Sequence, residues 1–223
     1  MLTKTNGIVF RYTRYGDTSI IVNVFTEVYG LQSYIVNGVR SSSAKGKIAL
    51  FQPLTLLEMV VYYKENAAIK RIKEVKCLYP YHSLQTDVRK SSIAMFLNEL
   101  LNKTVKDESH AHDLYSFIAE GLIVLDETED DFENFHLVFM IRLSRLLGFG
   151  AYSVQDVLGL RISDQESEQK LALLLEADFT TKVDLSIAQR RILLDILLKF
   201  YQDHLDTLGE LKSMTVLKEV LSD

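Results

Sequence analysis

Five of the six basic side chains in the first fifty residues, Arg11, Arg14, Arg40, Lys45 and Lys47, are interleaved with aromatic and β-branched residues. That mixture suits one kind of chemistry. Cations meet phosphates and aromatic rings stack on bases, so a surface offering both can follow single-stranded nucleic acid without reading its sequence. Three of the five lie in or beside Arg40-Ser-Ser-Ser-Ala-Lys-Gly-Lys47, where Ser and Gly keep the backbone adaptable. Residues 1–80 hold 11 Lys and Arg against 5 Asp and Glu, a balance of +6, while the whole chain stands at −5. The remaining residues therefore carry −11, and the basic part is the half suited to polyanions.

Other clusters carry less. His110 and His112, two apart on a helix, diverge by about 200° and do not face one ion; they read as exposed residues at a helix start. The acidic run Asp126–Asp131 lacks the Gly and the bidentate Glu of a calcium loop, and reads as a solvated connection before the next helix. Walker, Gly-x-Ser-x-Gly and His-Glu-x-x-His patterns do not occur. Cys77, the single cysteine, excludes an internal disulfide and a multi-cysteine cluster, and reads as a packed strand residue. Of Tyr62 and Tyr63, adjacent on a strand, one is expected in the core while the other stays open as a stacking surface. The expectation is a protein that is not an enzyme and has no cofactor or metal.

The cations need a platform. From Gly7 to Phe25 apolar and polar residues alternate, with Ile8, Phe10 and Tyr12 on one side and Val9, Arg11 and Thr13 on the other. Gly16-Asp17 and Gly30 mark turns. Strands are predicted over Asn6–Thr13, Ser19–Thr26, Leu31–Val39, Leu54–Tyr63 and Ile69–Leu78. Five short strands in about eighty residues fit a small Greek-key barrel of the OB type, with a sandwich or SH3-like barrel sharing the same signature. Beyond Pro80 the period changes to three and four. Helices are predicted around Ile93–Leu101 and Leu114–Leu122, from an Asp130/Glu133 capping box to Leu147, over Glu168–Glu176, from a Ser186/Gln189 box to His204, and over Ser213–Leu221. The third is apolar nearly all round and should be central. The fold class is thus α+β, an N-terminal five-stranded OB-fold barrel (1–79) followed by an all-α helical bundle domain (80–223).

No segment reaches the length of a membrane span, and MLTKTNGIVF lacks the apolar core of a signal peptide, so a cytoplasmic protein is expected.

The order of motifs resembles the bacterial recombination mediator family RecO. The resemblance rests on Gly7-Ile8-Val9, Tyr15-Gly16-Asp17, Phe25-Thr26 with Gly30, Gly38-Val39-Arg40, Leu146-Leu147-Gly148-Phe149, and His204-Leu205 with Leu211-Lys212-Ser213-Met214-Thr215-Val216-Leu217. It implies binding of single- and double-stranded DNA, annealing of complementary strands, and help in loading recombinase onto strands covered by single-stranded-DNA-binding protein. The implied partners are RecR and the acidic C-terminal tail of that protein, and the implied place is the nucleoid. An RNA-binding OB protein with a helical interaction domain is the alternative. Two departures stand out: Gly150–Thr181 has none of the four zinc-binding cysteines of many members, and Asn37 stands where Lys is frequent. Packing of Leu158, Leu160, Leu171 and Leu174 is expected to hold residues 150–181 instead. Arg142 and Arg145, three apart on the apolar third helix, share a face and are the expected partner-binding pair, either for the tail's carboxylate or for an internal acid.

Overall fold

The computed structural model describes residues 1–41, 46–65, 67–106 and 110–222. Five strands, β1 (Leu2–Tyr15), β2 (Ser19–Thr26), β3 (Gly30–Val36), β4 (Leu56–Tyr62) and β5 (Lys70–Tyr79), close into a barrel in the order β1-β2-β3-β5-β4. Every neighbouring pair is antiparallel except β3 with β5. This is the OB arrangement, and it excludes the sandwich. Val9, Val22, Val24, Tyr34, Phe51, Leu57, Met59 and Val61 fill the interior. Gly7 sits where β1 crosses both neighbours: a Cβ there would lie 2.5 Å from Val24 Cγ1 and 2.7 Å from Met59 Cε.

The alternation along β1 does not run through. Val9 pairs with Val24 and Arg11 with Asn23, so Phe10 is the extra residue of a β-bulge. Phe10 stacks on Phe25 at 5.6 Å. Beyond the bulge the phase reverses, and Tyr12 packs against the same interior cluster as Val9, contrary to simple period two.

The helices are α1 (Val88–Thr104), α2 (Ala111–Glu127), α3 (Phe135–Leu146), α4 (Val154–Leu158), α5 (Gln165–Glu176), α6 (Ile187–His204) and α7 (Ser213–Val220). Two compact units emerge, one of Met1–Pro80 with Val105–Glu120, the other of Tyr81–Thr104 with Gly121–Asp223. Val105–Glu120 thus groups with the barrel, where a cut at 79 and 80 would assign it to the helices. In the second unit α3 is buried around its circumference, and Tyr201 donates its hydroxyl to the Met140 carbonyl at 2.6 Å.

Capping follows the sequence in one place and departs from it in another. Ser186 and Gln189 form the expected reciprocal box at α6. Asp130 and Glu133 do not open α3, which starts after Asn134 without a side-chain cap. Glu133 instead meets Arg89 at 3.0 Å, and the Asn134 amide reaches out to the Val183 carbonyl at 2.6 Å. Further caps were not foreseen, among them these. Ser153 and Asp156 box the start of α4. Glu99 of α1 accepts hydrogen bonds from Lys212 N, Ser213 N and Ser213 Oγ, and so caps α7 from 113 residues away.

The acidic run is not a solvated connection throughout. Asp126 lies in α2 and is 3 % exposed. Its carboxylate accepts from His82 N at 2.9 Å, Ser83 N at 2.8 Å and Leu84 N at 2.7 Å. Its carbonyl accepts from Lys90 Nζ at 2.8 Å. Asp131 takes a left-handed conformation, with φ 61°, and pairs with Lys182 at 2.8 Å.

Among the described residues no helix is long and apolar enough to cross a membrane, and no group of His, Cys, Asp and Glu has the arrangement of a metal site. His112 Nδ1 lies 3.1 Å from Glu27.

Candidate nucleic-acid interface

Arg11 is exposed on the barrel's outer wall, one residue past the bulge, and its register partner is Asn23. Arg14 is exposed near the end of β1. Arg40 is half-buried: its Nη1 donates to the Gly16 carbonyl at 3.1 Å and its backbone N–H to Thr18 O at 3.0 Å. The left-handed Gly16 and Gly38, with φ of 55° and 71°, shape the two turns that meet there. Arg40 is thereby held against Gly16 at the β1–β2 turn, two residues along the chain from Arg14 and one from Tyr15, which is 53 % exposed. Among the described residues one of the five guanidinium donors of Arg40 is used, and the rest face no acceptor there. Lys47 is exposed at the head of a short 3-10 turn, Lys47–Phe51, whose Phe51 is buried in the barrel core. Lys45 lies outside the described residues. The four described cations are spread over the barrel: Arg40 meets the β1–β2 turn two residues from Arg14, Arg11 lies on the wall, and Lys47 opens its own turn.

Sequence reasoning passed over a second basic stripe. β5 begins Lys70-Arg-Ile-Lys-Glu-Val-Lys76, and Arg71, Lys73 and Lys76 are exposed on it. Period-two reading of that run, with its recurrent basic residues, was the signal that could have found it. Lys4 of β1 and Lys76 flank Glu58 of β4 at 3.3 and 3.0 Å. The Lys76 hydrogen bond, ahead of that from Lys4, holds the Glu58 carboxyl below its ordinary range. Lys70 differs from its neighbours. It is 8 % exposed and donates to Gln32 Oε1 at 2.6 Å and to the Ala67 carbonyl at 3.1 Å. Its ammonium stands 5.2 Å from the Tyr63 ring, which stacks on Tyr29 at 3.7 Å. Lys70 therefore braces the barrel end. Neither tyrosine of the adjacent pair is in the core: Tyr63 is half-buried in that stack, and Tyr62 is 49 % exposed. Cys77 is exposed as well, not packed.

In the helical unit Arg142 and Arg145 do share a face of α3, and both meet α5. Arg142 donates Nε and Nη2 to the Ala177 carbonyl at 3.2 and 3.1 Å. Arg145 donates Nη2 to Leu175 O at 2.7 Å and Nε to Ala151 O at 3.0 Å. The negative end of a helix and its unbonded carbonyls attract cations, so neither a ligand carboxylate nor an internal one is needed to satisfy them. Together they tie both ends of the segment that has no cysteines. Leu158, Leu171 and Leu174 are buried there as expected, whereas Leu160 is fully exposed.

A different cationic recess lies between α3, α6 and α7, a shallow one whose cavity volume of about 10 Å³ is that of a single water. Ile187, Leu194, Leu217 and Leu221 supply its apolar lining, and Arg190, Arg191 and Lys218 its charge. Arg190 Nη1 reaches Leu221 O at 3.2 Å and Arg191 Nη2 reaches Lys218 O at 3.1 Å, which holds both guanidiniums against the end of α7.

Residues 1–81 match the family described as Recombination protein O N terminal, and residues 85–167 match Recombination protein O C terminal. Similar curated proteins span the whole chain. A protein of Phocaeicola vulgatus is 36 % identical with all of both chains covered, and one of Bacteroides fragilis is 35 % identical with 99 % of each covered. One of Flavobacterium johnsoniae is 34 % identical with all of both covered. Each bears the name DNA repair protein RecO.

Proposed function

This chain belongs to the recombination protein O family, and from that premise we infer that it serves DNA repair and recombination as a mediator without chemistry of its own. It binds single- and double-stranded DNA, anneals complementary strands, and works with RecR to load recombinase onto strands covered by single-stranded-DNA-binding protein, in the cytoplasm at the nucleoid. The observation that carries this reading is the hydrogen bond that holds Arg40 against Gly16 at the β1–β2 turn of a closed OB barrel, two residues along the chain from the exposed Arg14 and one from the exposed Tyr15. Cations to hold phosphates and a ring to stack on bases are what a sequence-tolerant strand binder needs.

The test is annealing of complementary oligonucleotides, bare and covered by single-stranded-DNA-binding protein, together with the salt dependence of binding. Arg40→Ala with Lys45→Ala and Lys47→Ala should weaken single-strand binding and flatten the slope of log affinity against log salt by about two units, since each lost phosphate contact releases fewer counterions. Equal slopes for wild type and variant would remove these residues from the interface. Failure of the wild type to accelerate annealing would end the mediator reading.

The acidic C-terminal tail of the single-stranded-DNA-binding protein docks on the helical unit. The surface of Arg190, Arg191 and Lys218 over Leu217 and Leu221 is the seat for its terminal carboxylate, which would take the place of Asp195 on Lys218, while Arg142 and Arg145 turn their donors to the end of α5 and to Ala151. Arg191→Ala with Lys218→Ala should abolish binding of a labelled tail peptide in fluorescence anisotropy while circular dichroism stays native. Arg142→Ala with Arg145→Ala should lower the melting temperature and, at a temperature where the protein is folded, leave peptide affinity unchanged. The reverse outcome would return the tail to α3.

A further inference from the structure

The outer wall of the barrel offers two faces, and the function above uses one. The second is built by the first half of β1 with β4 and β5. Its register sets three cross-strand rows: Leu2, Tyr62 and Arg71; Lys4, Val60 and Glu74; Asn6, Glu58 and Lys76. Neighbouring strands lie about 4.8 Å apart, so the members of a row form one continuous surface.

Three properties of this surface point the same way. Tyr62 is 49 % exposed and, among the described residues, has no ring or hydrogen-bond partner, while its neighbour Tyr63 is committed to Tyr29. An exposed ring on a strand, next to the half-exposed Leu2, is apolar surface left open. Arg71, across the ladder from Tyr62, is exposed and faces no carboxylate among the described residues. Finally, Lys4, Arg71, Lys73 and Lys76 outnumber Glu58 and Glu74 on the face, and Glu58 is bracketed by two lysines. An open ring across from the Arg71 guanidinium, on a face of net positive charge where Lys73 pairs with Glu74 and two lysines share Glu58, is complementary to a base and its phosphates.

We propose that this β1–β4–β5 face is a second nucleic-acid site, on which Tyr62 stacks a base of one DNA strand while Arg71, Lys76 and Lys4 hold its phosphates, as Arg11 on the wall and Arg14 and Arg40 near the β1–β2 turn hold another strand. The two faces share β1: Lys4 serves one and Arg11 the other, seven residues apart, or about 23 Å along an extended strand. Two single strands held along the same β-strand are brought within reach of each other, which is the arrangement that pairing of complementary bases requires. The proposal rests on the reading of the barrel as a strand annealer and names the place of the second strand.

The experiment uses the full chain. Tyr62→Ala, Arg71→Ala and Lys76→Ala are combined; all three side chains are exposed, and circular dichroism and melting temperature verify the fold. The expected result is a change of less than about threefold in affinity for one oligonucleotide and a fall of at least about tenfold in the annealing rate of two complementary ones, read by energy transfer. Cys77, the single cysteine, is exposed next to Lys76 and takes a maleimide dye. An oligonucleotide carrying a quencher should darken that dye in the otherwise wild-type protein, and much less in the triple variant. Annealing by the folded triple variant at the wild-type rate would overturn the proposal, as would a Cys77 dye that the quencher strand leaves bright. If the triple variant anneals normally but loses capture of an acidic protein, the face is a protein dock and the proposal is wrong. A wild-type protein that binds strands but does not anneal would sink the mediator reading first, and this inference with it.

Discussion

Asp126→Ala should destabilise the helical unit by about 3–5 kcal/mol, the range for removing one partner of a buried charged network. The carboxylate is 3 % exposed and satisfies the backbone N–H groups of His82, Ser83 and Leu84 at once. With alanine those donors are left in a site that excludes water, and each unsatisfied donor costs about 1–3 kcal/mol. Lys90 is 3 % exposed, and its ammonium is held by Ser83 Oγ at 2.6 Å and the Asp126 carbonyl; the substitution also withdraws the buried negative charge from its surroundings. Asp126→Asn keeps the shape and one acceptor oxygen, and should cost less than half as much. Denaturant unfolding followed by far-ultraviolet circular dichroism measures both. An alanine variant within about 0.5 kcal/mol of wild type, the scale of an ordinary surface change, would show that the carboxylate is not what holds the chain where strand gives way to helix.

Acid should weaken the fold through a second buried group. His136 is 1 % exposed, its Nδ1 has no hydrogen-bond partner, and it meets Phe96 edge to face at 5.9 Å. Burial, followed by the nearby Arg190 charge, pushes its pKa from 6.5 down to about 3, against a smaller opposite pull from the Glu133 backbone. In the unfolded chain the imidazole takes up a proton below about pH 6.5, and in the folded protein it does not until about pH 3. The folded state therefore binds fewer protons across that window. The stability is complete above pH 6.5 and falls with acidification by up to about 1.4 kcal/mol per pH unit. At pH 4.5 the loss from this residue alone is about 2–3 kcal/mol. His136→Phe removes the titrating group and keeps an aromatic ring beside Phe96, so the stability gap between variant and wild type should shift in the variant's favour as pH falls from 6.5 to 4.5. Parallel stability curves for the two proteins would disprove the assignment, because carboxylates common to both cancel in the comparison.

What the sequence disclosed depended on how local the cause was. Ser19–Thr26 is a strand because β-branched residues alternate between two turn signals, and the structure places it at those same bounds. The Ser186 and Gln189 box needs only residues three apart, and it is present. The β1 bulge was hidden because Phe10 is apolar and fits either phase; only the pairing of Val9 with Val24 and Arg11 with Asn23 reveals it. Asp126 was misread among its acidic neighbours because its partners lie more than forty residues earlier. The third-helix arginines were expected to need a carboxylate, but the carbonyls at the end of α5 answer them, and a helix end some thirty residues away carries no charged letter in the sequence. At the candidate interface the sequence offers Arg11, Arg14, Arg40 and Lys47 as exposed or half-exposed cations, but that Arg40 meets the β1–β2 turn depends on a hydrogen bond to the carbonyl of Gly16, which no spacing announces.

The cap that Glu99 lends to α7 has a consequence for the order in which the protein is made. The ribosome delivers α1 early, yet Ser213 and its neighbours, which engage the Glu99 carboxylate, come more than one hundred residues later. The barrel unit contains nothing beyond Glu120 and can close while synthesis continues. The helical unit cannot: until α7 emerges, α1 waits without its last partner, and a chain stalled before residue 213 has a finished barrel and an open bundle. Translational arrest would thus yield a fragment that carries the proposed nucleic-acid interface but has incomplete helical packing, the form on which quality control would act.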